Sequence, residues 1–329
     1  MKQARTFAEA RYRRTMSDIG LTMILFFVIF YISVFSLQFI YELLYLYAPL
    51  PERILFLIYQ LTYGALYLLS FMLPVLVLRV RTRNGVFEYR PMYAAPKISG
   101  YLPLMIFAVI MLVRAASYLN SLWASIAFPF DSFYSASAPV AMEGFEIILQ
   151  FLVTCLVPGF CEEFLFRGAI LTNCMPFGRT NAIIISSLLF SMMHANIYQM
   201  LYTFVAGILL GLVYEKTGSI WNCVILHVLN NFFAVIDEVI YANLTAYSVV
   251  LTTGVECIIC LLGVISLAIL IRRFFSKKSD LSEGIYQKEL SASDDFATCP
   301  LTTARAVKLF FTPSIIAFTV LTLISTFFL

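Results

Sequence analysis

Long apolar runs alternate with short polar breaks along most of this chain. The runs cover 20–46, 54–80, 101–125, 144–173, 180–195, 197–215, 219–241, 246–271 and 307–328. A helix crossing a bilayer needs about 20 such residues, so the pattern predicts nine transmembrane helices, with the fifth and sixth the shortest. Only 274–306 is both long and polar, carrying Lys277, Lys278, Asp280, Glu283, Asp294 and Asp295, and it reads as a cytoplasmic linker. The expected layout is an all-α polytopic bundle over 1–273, the linker 274–306, and one appended C-terminal helix at 307–329.

Charge gives the bundle a direction. Lys2, Arg5, Arg11, Arg13 and Arg14 precede the first apolar run, which is too long for a signal-peptide core and is expected to stay as an anchor. Basic residues then recur in every second connection: Arg79, Arg81, Arg83, Arg90 and Lys97; Arg179; Lys216; and Arg272, Arg273, Lys277 and Lys278. The intervening segment 126–142 holds Asp131 and no Lys or Arg, and the seventh run ends near Asp237 and Glu238. The positive-inside rule therefore predicts a cytoplasmic N-terminus and, with nine spans, an outward C-terminus.

Composition agrees. Of 329 residues 61% are apolar and 12% charged, and mean hydropathy is +0.89, far from the soluble norm of about 25% charged residues. The net charge of +3 follows the topology and makes no case for nucleic-acid binding. Seven cysteines, most of them in predicted helices, form no disulfide framework, and Cys257-x-x-Cys260 reads as a buried structural pair.

The chemistry lies where polar groups interrupt the apolar runs. The only two histidines, His194 and His227, sit inside such runs, downstream of Glu162 and Glu163 in another. Ionisable groups within a membrane read as a functional site by default. Glu163 and Arg167 are spaced to pair one helical turn apart, which turns Glu162 about 100° away, towards a cavity where it can act as a general base. Phe190 stacks one turn before His194, and His227 shares a helix face with Asn231. At about 1.5 Å per residue, Glu162, His194, His227 and Asn231 come to similar depths from three helices. Each has a plain alternative: an interhelical hydrogen bond for either histidine or for Asn231, and an ion-pair cluster for Glu162, Glu163 and Arg167. Their joint occurrence at one level favours a site. Arg114 and Glu256, the remaining deep charges, are expected to pair with each other or with Glu163.

Glu162-Glu163-x-x-x-Arg167, Phe190-x-x-x-His194 and His227-x-x-x-Asn231, in this order on successive helices, resemble the CPBP family of CAAX proteases and bacteriocin-processing enzymes, also called the Abi family. The wording Glu163-Phe164-Leu165-Phe166-Arg167-Gly168 and His227-Val228-Leu229-Asn230-Asn231-Phe232 is closer to the bacterial branch. The resemblance places a catalytic core at 143–241 and implies a glutamate-dependent intramembrane endopeptidase without cofactor or metal. Glu162 and His194 would activate water, His227 and Asn231 would stabilise the oxyanion, and Glu163 and Arg167 would support the site.

Rival chemistries are weaker. Two His and a Glu could form a zinc shell, but the His-Glu-x-x-His spacing is absent. Cys161 lies on another face from Glu163, and a proton-relay transporter lacks the inverted repeat such folds carry. The main alternative from another class is a non-catalytic scaffold or bacteriocin-immunity factor that binds a membrane partner such as a sensor kinase. The expected partners are the lipid bilayer, a peptide or protein substrate, and a membrane protein docking on 307–329. The ending Ser325–Leu329 shows no retention or lipidation motif, so a bacterial plasma membrane is the expected location.

Overall fold

A computed structural model describes residues 2–82, 98–127, 144–244, 246–274 and 301–328, in which every regular element is helical. The helices are α1 (Lys2–Tyr47), α2 (Glu52–Thr82), α3 (Leu102–Ala127), α4 (Gly144–Phe177), α5 (Arg179–Met193), α6 (Ile197–Thr217), α7 (Ile220–Asn243), α8 (Ser248–Phe274), α9 (Thr303–Phe310) and α10 (Pro313–Phe328). Seven of them are long and apolar enough to cross a membrane, so the protein is an all-α polytopic membrane bundle. Arg83, Arg90, Lys97, Asp131 and the polar stretch 275–300 with Cys299 fall outside the described residues.

Three expectations need correction. The first helix begins at Lys2, not near residue 20, and runs for 46 residues. Its polar start carries a buried stripe of Ala8, Tyr12, Met16, Ile19 and Met23 at helical spacing, which continues the core beyond the apolar run. The fifth run becomes a helix of only 15 residues, about 22 Å long against a hydrocarbon thickness of about 30 Å. It therefore packs inside the bundle and does not span it by itself. Finally, Cys257 and Cys260 are exposed on the outer surface of α8 and are not buried.

The C-terminal segment is not detached. It breaks between Phe310 and Pro313 into two helices bent by 73°, because proline cannot supply the amide that would continue a helix. Thr303–Ala306, expected in the linker, already belong to α9. Ile315 and Phe318 are completely buried in the same apolar cluster as Phe26, Phe166 and Leu189. A Cβ on Gly20 of α1 would lie 2.7 Å from the Ile315 backbone nitrogen, so only glycine permits this approach of α1 and α10. Polar ties complete the docking: Arg305 Nε donates to Glu9 Oε1 at 2.7 Å, Ser314 Oγ to the Ser17 carbonyl at 2.9 Å, and the Leu301 amide to the Phe177 carbonyl at 3.1 Å.

Candidate active site

The central helix α4 is irregular on both sides of the acidic pair. π-helical turns occupy Leu152–Leu156 and Phe164–Leu171, bracketing Glu162 and Glu163. A π turn displaces backbone carbonyls from the regular ladder and leaves them open to other donors. Here the donors are tertiary. Asn231 Nδ2 reaches the Thr154 carbonyl at 3.3 Å, and Ser186 Oγ reaches the Phe166 carbonyl at 2.9 Å. Sequence periodicity offered no sign of these bulges.

Close contact between α4 and α7 sets the rest. A Cβ on Gly159 would meet Val228 Cγ2 at 2.6 Å and the Val228 amide nitrogen at 3.1 Å, so the absence of a side chain lets the two helices touch. That contact puts His227, next to Val228, against the acidic pair one turn further along α4.

The expected pair forms: Arg167 Nη1 donates to Glu163 Oε1 at 2.7 Å, with the two side chains 1% and 0% exposed. The same carboxylate oxygen meets His227 Nδ1 at 2.7 Å, so Glu163 also orients a histidine, which the sequence did not suggest. Arg167 further donates to the Gly207 carbonyl at 3.2 Å and lies 4.6 Å over the Phe190 ring. Phe190 in turn packs in T-shaped fashion with His194 and His227, with centroids 5.1 and 6.0 Å away. The phenylalanine of the second motif is thus the packing hub between the arginine and both imidazoles.

Glu162, His194, His227 and Asn231 all line one cavity of about 320 Å³. Glu162 Oε2 is buried without a hydrogen-bond partner and lies 3.8 Å from His227 Nε2. His194 Nδ1 is 2.9 Å from the Phe190 carbonyl; this bond requires a proton on Nδ1 and leaves Nε2 of the neutral ring as an acceptor. Asn230, the neighbour that could replace Asn231, also lines the cavity, and its Nδ2 donates to Asn231 Oδ1 at 3.4 Å. Glu163 and Arg167 stand behind this wall.

Two features escaped the sequence reading. Arg114 does bond Glu256 as expected, but it also pairs at 2.9 Å with Asp237, and both Arg114 and Asp237 line the cavity. By sequence Asp237 is a charge near the outer end of the seventh run. In addition, the Tyr67 hydroxyl of α2 donates to Glu162 Oε1. The available signal was the spacing of Tyr59, Tyr63 and Tyr67, three polar tips on one face of an apolar helix. Cys161 is fully buried.

Residues 144–233 match a family model described as type II CAAX prenyl endopeptidase Rce1-like. The matched stretch contains all seven motif residues and spans under a third of the chain. No curated protein and no solved structure matches the chain. The resemblance read from the three motifs therefore holds over this stretch. Together with the apolar helices, it supports a CAAX-type protease embedded in a membrane.

Proposed function

We propose that this protein is an intramembrane endopeptidase that hydrolyses a peptide bond in a membrane-associated peptide or protein, with its catalytic core at 143–241. The supporting observation is the convergence of Glu162, His194, His227 and Asn231, from α4, the end of α5 and α7, on one cavity. Peptide hydrolysis needs a base for the attacking water and donors at the developing oxyanion. In this reading the water proton goes to Glu162 Oε2, which has no hydrogen-bond partner, with His194 Nε2 as the second acceptor at the water. The Asn231 amide and, in its doubly protonated form, His227 Nε2 face the carbonyl oxygen, while Glu163 holds His227 by Nδ1 and Arg167 holds Glu163. Neither step calls for a metal, so cleavage should survive strong chelators. If a zinc chelator stops it and added zinc restores it, the histidines are ligands and the water is metal-activated.

Orientation follows from charge. Arg81 and Arg179 lie at helix ends bonded to Asp18 and Glu215, and Lys216, Arg272 and Arg273 close α6 and α8. With this basic end in the cytoplasm, the N-terminus is cytoplasmic; the wording of the motifs favours a bacterial plasma membrane.

Glu162→Gln keeps the size of the side chain and removes the base. Cleavage of a reporter peptide by the full-length protein in lipid nanodiscs should fall by about 10²-fold to 10⁴-fold, with yield and thermal midpoint unchanged. Undiminished cleavage would remove Glu162 from the mechanism. If the wild-type protein processes nothing in a comparison of membrane peptidomes with and without the gene, the scaffold reading takes its place.

A further inference from the structure

We infer that Tyr67 is a positioning residue for Glu162: it holds one carboxyl oxygen of the proposed base and leaves the other for the reaction. The inference rests on the peptidase reading and adds a residue of α2, outside the stretch 144–233 that matches the family model.

A glutamate side chain has three rotatable bonds, so burial alone does not fix where its carboxyl points. Here one oxygen, Oε1, accepts from the Tyr67 hydroxyl, while Oε2 has no hydrogen-bond partner and lies 3.8 Å from His227 Nε2. The two oxygens are thereby given different tasks. The donor is itself held rigidly. The Tyr67 ring stacks on Phe71 at 4.7 Å and packs against Tyr63 at 5.8 Å, one turn to either side on α2, and Phe30 of α1 meets it edge-on at 5.9 Å. A donor caged by three rings aims the carboxyl before substrate arrives, which is the preorganisation that hydrolysis exploits.

Tyr67 acts through Glu162 and not on substrate. It is not among the residues lining the catalytic cavity, and borders instead a small cleft between α1 and α2. A merely structural tyrosine, whose hydroxyl had simply found an acceptor in the apolar interior, would support the fold without affecting turnover.

Three measurements on the full-length protein in nanodiscs separate these roles. Tyr67→Phe keeps the ring and its packing; kcat should fall about ten- to a hundred-fold, while KM and the thermal midpoint stay at wild-type values. Tyr63→Phe, the same change one turn away, should leave kcat within about two-fold. Infrared difference spectra provide a readout that needs no cleavage: the carboxyl band that disappears in Glu162→Gln should shift in Tyr67→Phe and stay in place in Tyr63→Phe. An unchanged kcat in Tyr67→Phe, or a band that does not move, overturns the inference. If the wild-type protein cleaves no peptide, the peptidase reading fails separately and the infrared band alone decides whether Tyr67 holds Glu162.

Discussion

Two charge clusters reach the same cavity, one through His227 and the other through Arg114 and Asp237, and they are built in opposite ways. Glu163, Arg167 and His227 are buried, with 0%, 1% and 8% of their side chains exposed. Arg114, Asp237 and Glu256 retain 17%, 25% and 22%. The first cluster grows from a pair four residues apart on one helix, to which α7 adds an imidazole. The second joins residues 123 and 142 positions apart, from α3, α7 and α8. Dry charges gain from each other only when their geometry is nearly complete, and removing one partner leaves a charge that water cannot reach. Arg114 and Asp237, part of whose surface faces the cavity, can recover hydration there. The buried cluster should therefore be brittle and the open one tolerant, although both reach one cavity.

The sharpest test is Glu163→Gln, which strands Arg167 and releases His227 Nδ1. It should cost about 3–5 kcal/mol, seen as a large fall in detergent-solubilised yield and thermal midpoint. Near-normal stability would show that Arg167 is held by Phe190 and the Gly207 carbonyl alone. Gly159→Ala leaves every charge in place but drives a methyl into Val228, and forced overpacking costs about 1–3 kcal/mol. Because α7 must move to admit the methyl, peptide turnover should fall together with the thermal midpoint; retained turnover would mean that His227 does not depend on this helix contact. Arg114→Gln is the mildest of the three, because Arg114 and Asp237 keep part of their surface on the cavity, and is measured as a smaller shift of the midpoint. A loss as large as that in Glu163→Gln would erase the distinction between the clusters.

The same contrast explains what could be read in advance. The Glu163–Arg167 pair was legible because its spacing is a property of one helix, and the Phe190–His194 stacking for the same reason. The union of Arg114 with Glu256 was expected only because both are charges deep in apolar runs, whereas the share of Asp237 had no local signal. Tyr67 is a similar case: hydropathy places a tyrosine comfortably in a span, and only the approach of α2 to α4 makes it a neighbour of Glu162. The C-terminal helix was misjudged as an appendage because the polar stretch before it says nothing about the close packing at Gly20 and Ile315.

By itself the sequence determined the membrane, the helices and the set of ionisable residues buried among them. Hydrocarbon forces backbone groups to bond within each segment, so apolar length translates almost directly into helices, and titratable groups are too costly there to be scattered without purpose. What only the tertiary structure decided is which oxygen of each glutamate meets which partner. That outcome depends on π turns in α4, on a glycine that lets two helices touch, and on rings packed from a third helix. All of these are contacts between distant parts of the chain, and local periodicity carries no information about them.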